Sequence, residues 1–415
     1  MNGELNQFDA RRIIQTVGEA GQPPMWGTLY FTDGFEDTLR LLDEDYFSSY
    51  LKEGGATFKL LVGHYGGGKT HFLYLLRELA WERDFAVAYV SLTPEETPFH
   101  QLDRVYRAVA ASVAFPPEGR DVNPGLMSLL KAAVARWRAR TPDGPDDLLQ
   151  MQVQDAVRDL ENLNFQRALK AALSALLSGR EEEAEEMVLW LSAQGHDRTR
   201  YRQLGISGGI DRSNAFSSLR SLTRFVRQAG FSGLTILFDE AERTPSLSGK
   251  QREYLLSNLR ELIDETARGT LQSTFVAYAI PDYRFFDGKT GVYEAVKGRT
   301  ASMFDFYNPS GVRINLDSNL SEEQLATHLR SVGSKLWRIY EIAYATRLDP
   351  LLADPALRLL ARQVLKSRFA DISFRRLFVQ SAVRGLAEVH RRKGVDLDES
   401  WASGIVESFV SGGPA

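Results

Sequence analysis

The sequence predicts an α/β fold in which a parallel β-sheet is covered by helices on both faces. Three features of the 415-residue chain support this prediction. Short apolar runs rich in β-branched and aromatic residues alternate with segments of helical periodicity, as in chains that build parallel sheets. A glycine-rich stretch, Gly63 to Thr70, joins the first such run to a helical segment, and the chain beyond Ser321 is helical throughout.

The predicted elements follow one another in the order that this fold requires. The predicted strands cover residues 57–62, 86–92, 234–238, 273–279 and 312–316. Helical spacing of apolar residues predicts helices over residues 8–17, 35–50, 70–83, 98–113, 214–229, 251–267, 321–346, 353–368, 373–393 and 398–410. Ser321 and Gln324 form a capping-box pattern at the start of the first C-terminal helix. Residues 114–212 interrupt the alternation with helical segments separated by proline and glycine, which indicates a helical insertion.

The composition is that of a soluble globular protein, with 43% hydrophobic and 25% charged residues and a net charge of −4. The chain has no cysteine, which excludes disulfides, thiolate zinc sites and cysteine nucleophiles. No apolar run reaches the roughly eighteen residues that a membrane span needs. The first twelve residues lack the apolar core of a signal peptide. We therefore expect a cytoplasmic protein that does not enter a membrane.

The stretch GHYGGGKT, from Gly63 to Thr70, fits the pattern Gly-x-x-x-x-Gly-Lys-Ser/Thr at every defined position. Glycines let backbone N–H groups approach a phosphate closely, and the N-terminus of the following helix favours negative charge. In such a loop the lysine reaches the β- and γ-phosphates, and the final hydroxyl ligates Mg²⁺. The alternative is a glycine-rich turn that matches by chance, but the predicted strand before it and helix after it favour a phosphate loop.

The candidate nucleotide-binding residues follow from this motif. They are Gly63, His64, Tyr65, Gly66, Gly67, Gly68, Lys69, Thr70 and His71. The turn at Gly34 and the helix after it precede the phosphate loop and are candidates to flank an adenine ring, with a plain connector as the alternative.

A second motif follows the predicted strand 234–238. Asp239 and Glu240 stand at its carboxyl end, where open α/β sheets bind ligands. Asp239 is expected to hold the Mg²⁺ shared with Thr70, and Glu240 is expected to polarise an attacking water. By itself, a pair of acids after an apolar run is a weak signal, because strands often end in carboxylates that are simply solvated. The phosphate loop earlier in the chain is what favours the catalytic interpretation.

These motifs resemble those of the AAA+ ATPases. The likeness lies in GHYGGGKT, in ILFDEAE and in the C-terminal helices, which are similar to the small helical lid of origin-recognition and Cdc6-like proteins. The longer stretches ATFKLLVGHYGGGKTHFLYLLRELA, VAYVSLTPEETPFHQLDRVYRAV and GLTILFDEAER resemble the ATP-binding, BrxD-like proteins of BREX-type phage-defence systems. This likeness covers most of the chain outside residues 114–212.

The resemblance implies four segments. Residues 1–113 would form an N-terminal leader and the first part of an AAA+ nucleotide-binding domain, and residues 114–212 the helical insertion. Residues 213–318 would form the second part of the nucleotide-binding domain, and residues 319–415 a C-terminal helical lid.

The resemblance also implies roles for arginines. In these ATPases an arginine after the fourth strand acts on the nucleotide of a neighbouring subunit, and Arg299, in the predicted loop 282–306, matches it. A lid arginine senses the phosphate within its own subunit, and Arg375 is the better match and Arg376 the second. Two features depart from the family: Tyr278 is the only polar side chain near the end of the fourth strand, and too few residues follow Lys393 for the winged helix of Cdc6-like proteins.

The sequence therefore predicts an enzyme that hydrolyses ATP with Mg²⁺ and acts as a motor or switch in a DNA-directed phage-defence complex. The alternative is a nucleotide-gated binding or assembly module with little hydrolysis. A phosphate-loop kinase is disfavoured because Glu240 directly follows Asp239 and no acceptor pocket is visible. A two-domain helicase is disfavoured because the helical C-terminal region cannot supply a second α/β half. The expected partners are other defence-system proteins and, when ATP is bound, further copies of this chain.

The C-terminal helical region has a strong positive bias. Between Arg330 and Lys393 there are fourteen Lys and Arg residues and five acids, in a chain of net charge −4. Such a region can bind double-stranded DNA through its phosphates, and the triplet Arg391, Arg392 and Lys393 is the candidate contact. An acidic partner protein is the alternative ligand of the same region.

Overall fold

A computed structural model gives the structure of residues 5–64, 66–116, 123–140, 146–195, 198–241, 247–288, 290–316, 321–367, 374–392, 394 and 396–410. The strands are β1 (Ala56–Val62), β2 (Phe85–Ser91), β3 (Val113–Ala114), β4 (Gly233–Asp239), β5 (Thr274–Ile280) and β6 (Arg313–Asn315). They form one sheet in the order β3-β2-β4-β5-β1-β6. The predicted α/β class is confirmed, and each predicted strand is present to within one residue at either end.

The described residues also form sixteen α-helices. They are α1 (Gln7–Ala20), α2 (Glu36–Leu42), α3 (Lys69–Glu82), α4 (Leu102–Ser112), α5 (Leu126–Arg140), α6 (Asp146–Val157), α7 (Leu163–Leu177), α8 (Glu181–Leu191), α9 (Arg198–Gln203), α10 (Ala215–Gln228), α11 (Gly249–Ala267), α12 (Gly291–Thr300), α13 (Glu322–Tyr344), α14 (Pro350–Lys366), α15 (Phe374–Arg391) and α16 (Glu399–Val410). A π-helical segment, Asp43–Tyr50, continues α2. Short 3₁₀ turns cover Thr28–Phe31 and Tyr283–Phe286.

The sheet is mixed rather than purely parallel. β2 pairs in parallel with β4, and β4 pairs in parallel with β5. β3 runs antiparallel to β2, with Ala114 opposite Val87 and Val113 opposite Ala88. The prediction that residues 98–113 form one helix is wrong at both ends, because α4 begins at Leu102 and the chain turns into β3 after Ser112.

The middle of the sheet is covered on both faces. Every residue of β4 and of β5 is buried. Because successive side chains of a strand point to opposite faces, complete burial requires material packed on each side. α10 packs against β4 and α4 against β2. The uninterrupted apolar runs that predicted these strands are therefore the result of burial on two faces.

The chain forms two compact units. Unit 1 comprises Met1–Arg40, Val62–Glu78 and Asn315–Ala415, and unit 2 comprises Leu41–Leu61 and Leu79–Ile314. The core of unit 1 is apolar and is built from α1 and the four helices α13 to α16, which pack on one another. The four segment boundaries implied by the family resemblance stay predictions.

The described parts of residues 126–203 of unit 2 are mainly helical, in line with the predicted helical insertion. Helices α5 to α9 lie here, and α7 packs against α6 and α8. Glu181, Glu182 and Glu183 form the first turn of α8, where acidic side chains stabilise the positive end of the helix dipole. Within the described residues, no helix combines the length and apolar character needed to cross a membrane.

One helix was not predicted. The sequence indicated a loop over residues 282–306, but α12 occupies its centre and packs against α11. Lys289, which that interpretation placed in the loop, lies outside the described residues. Arg299 is therefore a helical residue, and its side chain is fixed by its neighbours rather than carried on a loop.

A fully buried lysine, Lys59, links residues 309–311 to the sheet by hydrogen bonds. Lys59, in β1, has no exposed surface. Its Nζ donates hydrogen bonds to the Tyr46 hydroxyl at 2.8 Å and to the carbonyl oxygens of Pro309 at 3.1 Å and Gly311 at 2.6 Å. Because buried polar groups are costly unless they are hydrogen-bonded, this arrangement ties residues 309–311 to β1.

Two opposing effects act on the charge of Lys59. Its nitrogen lies 4.2 Å from the centroid of the Tyr46 ring and 4.6 Å from that of Phe304, and aromatic faces attract a cation. Burial lowers the pKa of Lys59 from 10.5 to about 7, and the Asp45 carboxylate opposes this shift. Between these two values the unfolded chain binds a proton here that the folded chain does not, so the free energy of unfolding rises with pH.

We predict that Lys59→Met removes this pH dependence. Between pH 7 and pH 9 the free energy of unfolding of the parent protein should rise by about 2 kcal/mol more than that of the variant. Urea unfolding followed by circular dichroism at both pH values measures the difference. Lys52→Met, at an exposed lysine seven residues earlier in the chain, is the control and should keep the parental slope. Equal slopes for the parent and Lys59→Met would contradict the depressed pKa.

Candidate functional site

The predicted phosphate loop lies between β1 and α3. Gly66 and Gly68 have φ angles of +72° and +96°, in the left-handed region that glycine enters without strain. The Gly67 N–H donates to the His64 carbonyl at 2.8 Å and closes a turn. α3 begins at Lys69, and the first N–H groups of a helix have no acceptor within the helix itself. The loop therefore has the backbone form of an anion site.

Lys69 is buried within this loop. Its Nζ donates to the carbonyl oxygen of Gly63 at 2.9 Å and to that of His64 at 3.3 Å. The ammonium group thus lies against the backbone of the segment that is expected to hold the phosphates. Thr70 follows in the first turn of α3. Tyr65, another of the predicted binding residues, lies outside the described residues.

Arg375, predicted from the family resemblance to be a lid arginine, contacts the predicted phosphate loop. This residue is in the first turn of α15, and its Nη1 donates a hydrogen bond to the Gly67 carbonyl. A Cβ atom added at Gly68 would lie 3.2 Å from Arg375 Nη1 and 3.6 Å from the Phe35 ring. Glycine therefore leaves space that a side chain would fill. Arg376, the second candidate, lies instead against Gly21.

His71 joins the loop helix to the N-terminal segment. Its Nε2 lies 2.8 Å from the Thr32 hydroxyl, and its ring contacts the rings of Phe31 and Phe35. Burial lowers the pKa of His71 to about 3, and the positive charge of Arg375 acts in the same direction. His71 is therefore neutral, and its position supports a role in fixing α3 rather than in binding phosphate by charge.

A carboxylate that the sequence did not single out links the same N-terminal segment to α13. Asp33 accepts hydrogen bonds from the Ser331 hydroxyl and pairs with His328 and, at 3.4 Å, with Lys335. Lys335 also donates to the Thr32 carbonyl. Burial raises the pKa of Asp33, but the hydrogen bonds with Ser331 and His328 and the charge of Lys335 outweigh it and hold this pKa below its usual value. The turn proposed to flank an adenine is thus anchored on one side to α13 and on the other, through Thr32, to α3.

The predicted acid pair ends β4 in unit 2. Asp239 is buried, its Oδ2 accepts from the Tyr89 hydroxyl at 2.6 Å, and its Oδ1 accepts from the Glu240 N–H at 2.8 Å. Glu240 has a φ angle of +60°, and its carboxylate accepts a hydrogen bond from Ser91. Tyr89 and Ser91, both in β2, were not identified from the sequence. Their roles depend on the parallel pairing of β2 with β4, which places Ser91 opposite Asp239.

Arg299, the predicted trans-acting arginine, is engaged within its own chain. Its Nε and Nη2 donate to the two carboxylate oxygens of Asp264 in α11, at 2.6 and 3.0 Å. This pairing raises the pKa of Arg299 and lowers that of Asp264. Tyr278, at the position where a polar sensor was sought, is fully buried against the rings of Phe99 and Phe238.

The fold and the loop define a class of protein. A strand, a glycine loop with a buried lysine and a helix, in a mostly parallel sheet, are the arrangement of P-loop nucleotide-binding proteins. The family model described as BREX system ATP-binding protein BrxC/D matches residues 5–404. The chain therefore belongs to this family of BREX-system ATP-binding proteins, and the resemblance to BREX-type ATP-binding proteins drawn from the sequence is confirmed. A comparison with curated proteins found no match.

We predict that His71 stays neutral at physiological pH. Between its ordinary pKa of 6.5 and the folded value of about 3, the unfolded chain binds a proton that the folded chain does not. The free energy of unfolding should therefore fall as the pH falls from 6.5 to about 3, because protonation of His71 stabilises the unfolded chain. Its ring resonances, assigned by NMR through their loss in His71→Gln, should keep neutral-ring shifts down to pH 5. A titration midpoint near 6.5 would contradict this environment.

Proposed function

We propose that this protein is a Mg²⁺-dependent ATPase of the AAA+ class, near the origin-recognition and Cdc6-like branch. In this proposal it is a cytoplasmic motor or switch in a DNA-directed phage-defence complex with other proteins of the system. The observation that carries the proposal is the predicted phosphate loop, in which the buried Lys69 lies against the loop carbonyls at the start of a helix. The left-handed backbone of Glu240, which four other non-glycine residues of the described chain share, adds support because such strain is enriched at functional sites.

The proposal assigns the phosphates to the loop and the metal to two side chains. Lys69 and the backbone N–H groups of residues 63–70 stabilise phosphate charge, and Thr70 and Asp239 hold Mg²⁺. Bound Mg²⁺ neutralises charge on the phosphate oxygens. The described part of the chain contains no group of three or more His, Asp or Glu side chains placed so that they could hold a metal ion by themselves. A site with only a few protein ligands is still suitable for Mg²⁺, because this ion is commonly held by one or two carboxylates together with substrate phosphates.

Glu240 is the proposed general base. Ser91 donates to its carboxylate, and the backbone N–H of Glu240 donates to Asp239, so both ends of the residue are oriented. A carboxylate fixed in this way can accept the proton of a water molecule that attacks the terminal phosphate. Tyr89 orients the carboxylate of Asp239. Its hydroxyl donates to one oxygen of Asp239, and the Glu240 N–H donates to the other.

Arg375 is the proposed sensor of the nucleotide, and the helices of residues 319–415 are the proposed lid. Support comes from the hydrogen bond between Arg375 and the carbonyl of Gly67. A guanidinium group has five N–H donors, so it can bind a loop carbonyl and a phosphate oxygen together. Binding of ATP would then be reported directly to α15.

Arg299 remains the proposed trans-acting arginine of an ATP-bound oligomer, but it would first have to leave Asp264. Ion pairs that are open to solvent contribute about 1 kcal/mol or less, so a neighbouring subunit's phosphate could outcompete this one. The same ion pair favours the alternative function, a nucleotide-gated binding module with little hydrolysis, because it keeps Arg299 from acting elsewhere.

We predict that two substitutions separate ATP binding from turnover. Lys69→Ala should weaken ATP binding by roughly 1.5 to 3 kcal/mol, because it removes a charge-assisted hydrogen bond. Glu240→Gln should keep ATP affinity and lose most hydrolysis, because the amide cannot accept the proton. Calorimetry measures binding, and phosphate release with and without DNA measures turnover. Glu261→Gln, in α11, is the control for removal of a carboxylate.

The outcomes distinguish the candidate functions. Parental ATP affinity in Lys69→Ala would overturn the phosphate-loop assignment. Hydrolysis by Glu240→Gln at the parental rate would overturn the assignment of the base. ATP binding by the parent without hydrolysis under any of these conditions would establish the nucleotide-gated module instead.

Double-stranded DNA is the proposed ligand of the C-terminal helices. Several of the cations counted there pair with carboxylates: Lys335, Arg347, Arg358, Lys366, Arg384 and Arg392. Lys393, of the predicted triplet, lies outside the described residues. Arg330, Arg338 and Arg391 are exposed, and no carboxylate among the described residues pairs with them, so they are better candidates for binding phosphates.

We predict that replacing Arg330, Arg338 and Arg391 together with Ala weakens binding to duplex DNA. The slope of log K against log salt should fall in magnitude by roughly 0.9 for each phosphate that the variant no longer neutralises. Replacing the paired residues Arg347 and Arg358 with Ala is the control and should change the slope less. Unchanged affinity and slope would remove DNA from this surface and leave it to an acidic partner protein.

A further inference from the structure

An aromatic turn projects from unit 2 just before β6. Phe306 and Tyr307 expose 74% and 94% of their surface. Their rings contact each other edge to face, with centroids 5.4 Å apart. Two adjacent aromatic side chains leave a large apolar area in water in this position, and burial against a partner would remove it from water.

The turn is held rigidly although its tip is exposed. Asp305 Oδ1 accepts hydrogen bonds from the backbone N–H groups of Tyr307 at 2.8 Å and Asn308 at 3.0 Å. The Asn308 side chain donates to the Met303 carbonyl at 2.7 Å. Lys59 binds the carbonyl oxygens of Pro309 and Gly311, directly after the turn. A preorganised turn loses little conformational entropy when it binds, which is a property of efficient anchor residues.

A cleft of about 470 Å³ lies elsewhere on unit 2. It is lined by Arg140, Arg227, Gln228, Gly230, Phe231 and Ser232. Arg227 donates to the carbonyl oxygens of Ser232 and Lys52, both at 3.1 Å, and no carboxylate among the described residues pairs with it. Arg140 lies over Gly230, where an added Cβ would be 2.6 Å from Arg140 Nη2. The cleft is open to solvent and lined mainly by polar surface, which suits a projecting turn that carries a carboxylate better than an enclosed small ligand.

The turn and the cleft are chemically complementary. Residues 304–311 carry one charged side chain, the carboxylate of Asp305, and two electron-rich rings at the exposed tip. The cleft presents two guanidinium groups, which pair with carboxylates and stack on aromatic faces. A nucleic acid is a poorer occupant for the turn, because single strands are bound by aromatic residues together with cations and residues 304–311 contain none.

The turn and the cleft also lie at opposite edges of the sheet. The turn leads into β6, and the Phe304 N–H donates to the carbonyl of Arg313 in that strand at 2.8 Å. Phe231 of the cleft packs against Phe115, the residue after β3, with ring centroids 5.4 Å apart. β6 and β3 are the two ends of the strand order. Surfaces at opposite ends of one unit can join copies head to tail.

We propose that the aromatic turn of one copy of this chain docks into the arginine-lined cleft of the next copy, so that the protein assembles head to tail. Tyr307 and Phe306 are the anchors, and Arg140 and Arg227 receive them and the Asp305 carboxylate. The interface uses none of the residues assigned to ATP, so it does not depend on the proposed ATPase activity.

Sedimentation velocity over a concentration series, with and without ATP, tests this interface. The parent protein should self-associate, and the double variant Phe306→Ser/Tyr307→Ser should weaken association roughly thirtyfold or more, as expected for anchor residues. Tyr254→Ser, at a tyrosine of α11 that is 51% exposed, is the matched control and should behave as the parent. All of these positions are on the surface, and thermal unfolding checks that each variant is folded.

A mixing experiment tests the head-to-tail geometry. Arg140→Glu should abolish association from the side of the cleft, whereas Arg138→Glu, at an exposed arginine of the same helix, should not. The turn variant keeps an intact cleft and Arg140→Glu keeps an intact turn. Each alone should be monomeric, and an equimolar mixture should form a one-to-one dimer and no larger species.

The opposite results would overturn the proposal. A parent that stays monomeric throughout the series, or turn variants that assemble as the parent does, would exclude this interface. A mixture of the two variants that stays monomeric would exclude pairing of the turn with the cleft. A turn variant that no longer binds single-stranded DNA but self-associates as the parent does would assign the aromatic pair to nucleic acid instead.

Discussion

Burial of the central strands on both faces is the constraint on which unit 2 depends. No side chain of β4 or β5 reaches solvent, so a group that performs chemistry has to stand where a strand ends. Asp239 occupies such an end and is itself buried, which is tolerable because each of its carboxylate oxygens accepts a hydrogen bond. The strained backbone of Glu240 follows directly, where the chain leaves the sheet.

The strands and the phosphate loop could be predicted because their signals are local. Two-sided burial requires an unbroken apolar run, and the loop requires glycines at fixed spacing before a lysine. The contacts that orient these groups could not be predicted, because their partners are distant in the sequence. His328 and Asp33 are 295 residues apart, and the Tyr89 and Asp239 side chains are 150 residues apart. A single sequence has no periodicity that encodes such pairs.

The elements missed in the sequence are those with little apolar surface to bury. α12 buries two apolar side chains, Tyr293 and Val296, and contains two glycines, so its pattern is typical of a loop. Its position matters because it fixes Arg299 beside Asp264. β3 has two residues, which is too short for any alternation to be visible. Lys59 was assigned correctly to a strand, but its charge gave no sign of the backbone carbonyls that surround it.

The short strand β3 protects one edge of the sheet against aggregation. β3 covers the outer backbone of β2 at Val87 and Ala88, and an uncovered strand edge is a template on which strands of other chains can pair. The predicted helical insertion, residues 114–212, starts at the second residue of β3. A shortened protein made without the insertion would therefore have to retain Val113 and Ala114, because their removal would turn β2 into an adhesive edge and promote aggregation during folding.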